Sequence, residues 1–294
     1  IPDGVTNIGE RAFYDCTGLT AVTIPDSVTS IGGYAFSGCA GLTSITIPCS
    51  VTSIGKQSFF GCTGLKDVYI TDIGKWCGIS FEDAFATPLQ YAHKLHLNGD
   101  LVTNLVIPDS VTSIGGFAFW GCAGLTAVTI PDSVTRIGGS AFSGCKGLTS
   151  VTMGNGLTSI SNYAFCDCTG LTTITIPDSV TSIGKIAFWD CIGLTSVAIP
   201  DSVASIDRSA FEGCTGLISV TIGNGVTSIG YDAFSGCTGL SAVTIPDSVT
   251  DIDRGAFSGC PIETAVIPAL AANHINNRPV SYTHLRAHET LRHL

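Results

Sequence analysis

The chain has 294 residues, of which only 12% are charged, and its 23 acidic residues outnumber the 13 basic ones. The formal net charge of -10 argues against a nucleic-acid partner, because nucleic-acid recognition needs a basic surface. A helix that crosses a membrane needs about 18 or more consecutive apolar residues, and the sequence contains no such run, so no membrane span is predicted.

A repeat of 23 residues organises most of the chain. The stretch Ile24–Gly32 returns with small changes at this period, and ten of the 13 cysteines follow it, each preceded at a distance of three residues by a phenylalanine. Because a segment of 23 residues cannot bury its own apolar stripe, whereas stacked segments cover one another, the period predicts a solenoid. The ladder cysteines are Cys16, Cys39, Cys62, Cys122, Cys145, Cys168, Cys191, Cys214, Cys237 and Cys260.

Each repeat unit carries three predicted elements, exemplified by the unit that begins near Thr20. Thr20–Ile24 is short and rich in β-branched residues, which predicts a strand in one long parallel sheet. Val28–Gly32 predicts a second short strand on another side of the coil, and Ala35–Cys39 predicts a single helical or 3₁₀ turn. At about 4.8 Å per stacked strand, about eleven to twelve coils predict a rod or arc roughly 55 Å long.

The repeated polar residues have mainly structural interpretations. An aspartate follows the proline in most units, and asparagine replaces it at Asn155 and Asn224, so we expect these side chains to cap their own turns. A row of calcium ligands is the alternative interpretation. The ladder cysteines predict buried free thiols, with disulfides between adjacent coils as the alternative, because buried cysteine behaves as a small apolar residue.

One unit, between Ile70 and Ile107, is 14 residues longer than the others. Asn98-Gly99 within it predicts a type I′ hairpin that joins the arms 94–97 and 101–107. Either this coil fills its extra volume with aromatic side chains, or it forms a protruding protein-contact site. The candidate contact residues are Asp67, Tyr69, Trp76, Tyr91, His93, His96 and Asn104.

The outward strand positions predict a weak binding surface. Because side chains alternate along the strands, these positions form a face of small hydroxyl and methyl groups, as in Thr173 and Thr175. Most of this face lacks the Trp, Tyr and Arg side chains that dominate tight interfaces. Many shallow contacts that sum through repetition therefore fit this face better than one strong contact.

No arrangement of residues points to catalysis, a cofactor or a metal. The sequence lacks a G-x-S-x-G motif, a phosphate-binding glycine loop and an H-E-x-x-H motif. His93 and His96 differ in strand parity, so we expect them to face opposite sides rather than to share a zinc ion. Cys166 and Cys168 lack a second pair at zinc-finger spacing. The sequence therefore predicts a non-enzymatic protein.

The phrases IPDSVTSIG, AFxGC and GLTxVTIP closely resemble the BspA-like leucine-rich repeats, also called the Treponema pallidum type. The resemblance covers about residues 1 to 268. It implies a solenoid of stacked coils and a surface-exposed or secreted protein of bacteria or of some mucosal protists. It also implies adhesion to a protein ligand, either a host matrix protein or a microbial surface protein.

The end of the chain differs from the repeat in composition. We expect a solenoid over residues 1–268, a degenerate end at 269–279 and a foreign tail at 280–294. The tail resembles translated sequencing-adapter read-through, because Val280–Thr290 reads VSYTHLRAHET. On this interpretation the C-terminus is truncated, and the start at Ile1 inside a repeat leads us to expect the same of the N-terminus.

Three functions remain open at this stage. The first is a non-enzymatic adhesion scaffold, a fragment of a cell-surface or secreted repeat protein. The second is a targeting module of a larger secreted hydrolase, and the third is an intracellular protein-interaction scaffold, which the free-thiol ladder suits because the cytosol is reducing.

Overall fold

The computed structural model describes residues 1–266, which form a solenoid of about 11 coils with stacked parallel strands and very little helix. The predicted fold class, a mostly β repeat solenoid of the leucine-rich-repeat type, is confirmed. The last two residues of the predicted solenoid, the degenerate end at 269–279 and the foreign tail at 280–294 lie outside the described residues.

Most coils contribute one strand to each of two strand rows, which follow the first and the second predicted strand of the repeat unit. The strands are numbered β1 to β23 in chain order. The second strand row, built from the SIG segments, contains β1 Asn7–Ile8, β2 Ser30–Ile31, β4 Ser53–Ile54, β6 Ser80–Phe81, β10 Ser113–Ile114, β12 Arg136–Ile137, β14 Ser159–Ile160, β16 Ser182–Ile183, β18 Ser205–Ile206, β20 Ser228–Ile229 and β22 Asp251–Ile252.

The first strand row is built from the TxVTI segments. It contains β3 Ser44–Thr46, β5 Asp67–Ile70, β7 Leu95–Leu97, β9 Asn104–Val106, β11 Ala127–Ile130, β13 Ser150–Met153, β15 Thr173–Ile174, β17 Ser196–Ile199, β19 Ser219–Ile222, β21 Ala242–Thr244 and β23 Thr264–Val266. The enlarged coil adds α1 Ile73–Cys77, α2 Leu89–Ala92 and β8 Asp100–Leu101.

The strands pair in register with the repeat, so that Val128 lies opposite Val151 and Thr129 opposite Thr152. The prediction of one long sheet is wrong, because the first strand row divides into three hydrogen-bonded sheets. One division has a clear cause: β8 turns back antiparallel on β7 and occupies the edge that β9 would otherwise use. The predicted strand at Thr20–Ile24 is also absent from the described structure of the first coil.

A stack of phenylalanine rings runs through the interior. Rings of neighbouring coils lie 5.1–5.6 Å apart between centroids and are nearly parallel. The enlarged coil interrupts this stack between Phe59 and Phe119. Its own Phe85 instead packs edge-on against Phe60, with 5.1 Å between ring centroids and an angle of 88° between the rings. One core therefore extends along the solenoid, with a local exception at the enlarged coil.

The corner at Ala35–Cys39 consists of consecutive turns with bonds between residues three apart, rather than the single helical or 3₁₀ turn that the sequence predicts. The N–H of Ser37 donates to the carbonyl of Tyr34 at 3.1 Å, and the N–H of Cys39 donates to that of Phe36 at 3.1 Å. Tyr34 and Gly38 have φ values of 57° and 79°, in the left-handed region that interrupts a right-handed helix. The two bonds therefore belong to separate turns.

Many repeated threonines and several repeated serines tie one coil to the next. The hydroxyl of Thr135 donates to the carbonyl of Thr112 at 3.2 Å, and the hydroxyl of Ser133 donates to that of Val111 at 2.9 Å. Each bond spans 22 or 23 residues. These side chains therefore hold neighbouring coils in register, which explains their repetition without invoking a ligand.

The prediction that the repeat aspartates cap their own turns is wrong for the described residues. Asp132 Oδ1 instead accepts from the N–H of Asn155 on the next coil at 2.6 Å. A Cβ atom on Gly156 would lie 1.8 Å from the carbonyl oxygen of Asp132. In this unit Gly154-Asn155-Gly156 replaces the usual Pro-Asp-Ser. The replacement therefore marks a coil whose turn lies directly against the preceding coil. The turn at Asn224 has the same arrangement with Asp201.

All 13 cysteines are free thiols in the structure, and most of the ladder cysteines are buried. Burial raises the pKa of the Cys62, Cys122 and Cys214 thiols to about 12, because an apolar interior disfavours the charged thiolate. These thiols stay protonated at neutral pH. They therefore act as packing residues and weak hydrogen-bond donors rather than as nucleophiles.

Candidate functional site

The enlarged coil departs from the regular repeat in length, and its backbone explains how it projects side chains. The Asp72 carboxylate caps α1 by accepting from the N–H of Lys75 at 2.9 Å. After α2, strand β7 turns into β8 at Asn98 and Gly99, whose φ values are 53° and 96°. Two successive positive φ values define the type I′ turn that the Asn-Gly pair predicts.

Trp76 is a candidate contact residue by sequence, but the structure places its indole in the core. The side chain is 1% exposed, and its Nε1–H donates to the carbonyl of Ala118 on the next coil at 2.8 Å. Its ring also packs against Phe81 at 5.2 Å between centroids. The helix α1 buries Ile73, Trp76 and Cys77 together. Trp76 therefore fills the extra volume of the coil and is not available to a partner.

Tyr91 and His93 also bond to the backbone of neighbouring coils. The Tyr91 hydroxyl oxygen accepts from the N–H of Gly61 at 2.9 Å, and His93 Nδ1 lies 2.8 Å from the carbonyl oxygen of Gly121. His93 ends α2 in a left-handed conformation with φ 59°, so it precedes the strand instead of lying on it. Parity along a strand therefore does not describe the relation of His93 to His96.

Asp67, Tyr69 and His96 form a compact cluster on the outward face of the first strand row. Tyr69 and His96 are cross-strand partners on β5 and β7, and their rings stack at 4.6 Å between centroids. His96 Nε2 lies 2.8 Å from Asp67 Oδ1, which fixes the imidazole against the sheet. The cluster presents an aromatic edge, a carboxylate and an imidazole, each held by its neighbours. Rigid side chains of this kind lose little entropy when a partner binds.

Two exposed apolar residues of the enlarged coil were not among the candidate contact residues predicted from the sequence. Leu101 is the cross-strand partner of His96, so it shares the outward face, and it is 45% exposed. Val106 on β9 is 59% exposed and follows Asn104, which is also exposed and lies on the same face. Most other units carry threonine or alanine at the position of Val106, and this contrast is the sequence signal that was missed.

A second group of aromatic residues lies on the edge of the solenoid formed by the AFxGC turns and the residues just before them, called the turn edge. The sequence analysis did not single out these residues. Phe60 is 45% exposed and packs against Phe85, and Phe117 packs against Trp120 at 5.6 Å between centroids. The indole N–H of Trp120 donates to the side chain of Gln90 in α2. These residues lie at positions that vary between units. Periodicity could not reveal them, because only the non-repeating side chains place them together.

Neither metal ligation nor membrane insertion is evident in the part of the chain that the structure describes. Within residues 1–266, no three His, Cys, Asp or Glu side chains are grouped so that they could hold a metal ion. Neither of the two short helices in this range has the length and apolarity needed to cross a membrane.

These coils, with their parallel strand rows, phenylalanine stack and variable outward positions, define a leucine-rich-repeat solenoid, a class of protein-interaction scaffold. The family model for the BspA type leucine rich repeat region matches residues 1–84, 95–218 and 205–286, in six copies. The chain belongs to this family. A search of the curated proteins found no match to this chain.

Solved structures of bacterial proteins share the fold. A leucine-rich repeat protein from Bacteroides ovatus is 26% identical over 91% of this chain and 77% of that one, with a TM-score of 0.53. A leucine rich cell surface protein from Faecalibacterium prausnitzii is 28% identical over 91% and 78%, also with a TM-score of 0.53. The pneumococcal vaccine antigen PcpA, 17% identical over 87% and 74% with the same TM-score, supports the fold alone.

Proposed function

We propose that this chain is a non-enzymatic adhesion scaffold from a bacterial cell-surface or secreted protein. It binds a protein ligand, such as a host matrix protein or a microbial surface protein, through the outward face of the first strand row. Membership of the BspA-type family and the description of the F. prausnitzii relative as a cell surface protein support this location. The absence of a metal-binding group among residues 1–266 is neutral on this point.

The observation that carries the proposal is the composition of one face around the enlarged coil. The contact residues are Asp67, Tyr69, His96 and Asn104, joined by Leu101 and Val106. Tyr69 supplies a rigid aromatic surface, and Val106 supplies apolar area that becomes buried on binding. Aromatic anchors of this kind dominate protein interfaces, whereas small hydroxyl residues contribute little each. Trp76, Tyr91 and His93 support this surface from within the coil.

The long threonine-rich face adds contacts along the solenoid. Thr152 and Thr175 lie on it at the same repeat position, and Thr152 pairs with Thr129 of the preceding coil. Individually weak contacts raise the overall affinity when one ligand engages several of them at once. Binding is therefore anchored at the enlarged coil and reinforced by neighbouring coils.

The test measures binding of the chain to immobilised host matrix proteins and to bacterial surface proteins by surface plasmon resonance. Tyr69→Thr and Val106→Thr each restore the residue that most other units carry at that position, so the fold should remain intact. We expect the double variant to weaken binding about tenfold or more, as loss of interface anchors does. Ala198→Thr is the matched control, because it makes the same type of change at the same position of a distant coil. Equal affinity of the double variant and the wild type would contradict the proposed contact surface.

A further inference from the structure

The break in the first strand row at the enlarged coil leaves one side of strand β9 unpaired. Among the described residues, β9 is the last strand of its sheet and pairs with β11 alone. On its other side it neither pairs with β7 and β8 nor runs closely alongside them. In the next coils a strand of the preceding coil covers that side, as β11 covers β13 and β13 covers β15. β9 therefore presents a strand edge in the middle of the solenoid.

The backbone groups on this edge point away from the sheet. Along a strand, the N–H and C=O groups of successive residues point to alternate sides. The N–H of Ile107 donates to the carbonyl of Thr129 in the next coil at 3.0 Å, so Ile107 and Leu105 face β11. Asn104 and Val106 therefore direct their N–H and C=O groups to the opposite side. Two donors and two acceptors, at the spacing of a strand, are available there to a further strand.

The exposure of the turn after β9 shows that this side is open to solvent. Pro108 and Ser110 are exposed, as Pro2 is at the start of the solenoid. At the same positions of the next coil, Pro131 and Ser133 are partly buried, because the preceding coil covers them. The coil that begins with β9 is therefore exposed on this side in the manner of a terminal coil.

This edge lacks the residues that commonly prevent strand addition. Exposed edges in natural sheets are often protected by lysine or by proline. Neither lysine nor arginine occurs between Lys94 and Arg136, and β9 contains no proline. The nearest charged residues before and after β9 in the sequence are Asp100 and Asp109, and both are exposed. An unprotected edge in acidic surroundings is complementary to an extended segment that carries basic residues.

We propose that the free edge of β9 binds an extended, basic segment of the protein ligand, which adds to the sheet as a further strand. This inference rests on the proposed function, because it describes how one part of that ligand is held. Backbone hydrogen bonds to Asn104 and Val106 hold the segment, as in other cases of strand addition. An apolar side chain on its outward face covers Val106, which is 59% exposed. Basic residues at its ends pair with the Asp100 and Asp109 carboxylates.

A single segment fits this edge better than a second copy of the folded chain does. β7 and β8 belong to the part of the stack that precedes β9, so they flank the space from which a further strand must approach. A second solenoid would bring the coils on either side of its own edge against them. A segment one strand wide needs only about 4.8 Å beside β9.

The test measures binding of a fluorescein-labelled peptide, Lys-Thr-Val-Thr-Ile-Thr-Lys, to the whole chain by fluorescence anisotropy. Its Val-Thr-Ile core copies Val128–Ile130, a strand of the repeat itself. The matched control peptide has the same side chains but carries N-methyl groups on its three central amides. We expect the first peptide to bind and the control to bind at least about tenfold more weakly, since it has lost backbone donors. A third peptide, with glutamate in place of both lysines, should also bind more weakly.

Variants of the chain test the edge from the other side. Val106→Pro removes an N–H that points away from β11, so we expect the ladder to β11 to remain and peptide binding to weaken about tenfold or more. Asp109→Asn should weaken binding about two- to fivefold, as loss of an exposed ion pair does. Asp178→Asn is its matched control, because it makes the same change at the same repeat position of a distant coil and should bind as the wild type does.

Hydrogen exchange followed by NMR reports on the edge without any substitution, and it decides the question if Val106→Pro does not fold. We expect the amides of Asn104 and Val106 to exchange more slowly when the peptide is bound, because each then donates to it.

Several results would overturn the proposal. These are no binding of the lysine peptide, equal binding of the N-methylated or the glutamate peptide, and unchanged exchange at Asn104 and Val106. Dimerisation of the chain that Val106→Pro abolishes would likewise overturn it, by assigning the edge to a second copy. Failure of the peptide leaves the outward contact face standing, since binding of matrix or surface proteins and its loss in the Tyr69 and Val106 double variant test that face separately.

Discussion

The thiol of Cys145 donates to the carbonyl oxygen of Phe119, which lies 26 residues earlier on the preceding coil, at a distance of 3.2 Å. The same bond recurs from coil to coil, as between Cys168 and Phe142. Each ladder cysteine that forms it therefore has two roles. It fills core volume, and it gives a second donor to a carbonyl group that already accepts from a backbone N–H of its own coil, as Phe119 does from Cys122 at 3.1 Å. This double role explains why cysteine recurs at a position where alanine would also be small and apolar.

Removal of the Cys145 thiol should therefore destabilise the fold. We expect Cys145→Ala to lower the free energy of unfolding by about 1–2 kcal/mol, because it leaves a small cavity and removes a weak hydrogen bond between two coils. Denaturant titration followed by circular dichroism measures the change. Cys16→Ala is the control, since Cys16 is exposed and its loss should cost less than about 0.5 kcal/mol. Equal losses from both variants would show that the buried bond has no special role.

The buried thiols should make the protein sensitive to alkaline pH. Cysteine in the unfolded chain titrates near pH 8.5, whereas burial raises the pKa of Cys62 and Cys122 to about 12. Between these values the unfolded state loses protons that the folded state keeps. The free energy of unfolding therefore falls as pH rises, by up to about 1.4 kcal/mol per pH unit for each thiol. This stability is complete below about pH 8.5 and is lost towards pH 12.

Thermal melts between pH 7 and pH 11 measure this dependence. We expect the midpoint to fall steeply above about pH 8.5, and Cys62→Ala to make the decline shallower because one buried thiol is gone. A midpoint that stays level to pH 11 would mean that the ladder thiols are not buried as the structure places them.

Gly156 should tolerate no side chain. A Cβ at this position would lie 1.8 Å from the carbonyl oxygen of Asp132, so we expect Gly156→Ala to cost about 3 kcal/mol in the free energy of unfolding. Gly9 provides the comparison, because a Cβ there would meet nothing within 4 Å. Gly9→Ala should raise stability by about 0.4–1 kcal/mol through the unfolded state. Chemical denaturation distinguishes the two, and a neutral Gly156→Ala would refute the close approach of these turns.

The repetitive part of the fold could be predicted from the sequence, because ten near-copies of one unit report the same packing requirement independently. The apolar slots at Phe36, Leu42 and Ile45 are all buried, and the second short strand forms at Ser30–Ile31. The breaks in the sheets could not be predicted. They depend on which strand edge a neighbouring segment occupies, as β8 does beside β7, and a repeat pattern carries no such information.

The enlarged coil was predicted only in outline. The Asn98-Gly99 pair correctly predicts the turn between β7 and β8, since few residues other than Asn and Gly accept two successive positive φ values. Composition alone could not separate the buried Trp76 from the partly exposed Tyr69, because both occur near the same insertion. Trp76 is buried by the helix α1, which is too short to give a periodic signal in the sequence, whereas Tyr69 lies on strand β5.

The central claim is that a protein partner contacts the outward face at the enlarged coil. Hydroxyl-radical footprinting of the chain, alone and bound to its partner, tests this claim most directly because it reports on individual side chains. We expect Tyr69, His96 and Leu101 to be protected in the complex, while Tyr14 and Phe60 on the turn edge react as before. Protection of Phe60 with unchanged reactivity of Tyr69 would place the partner on the turn edge and contradict the account.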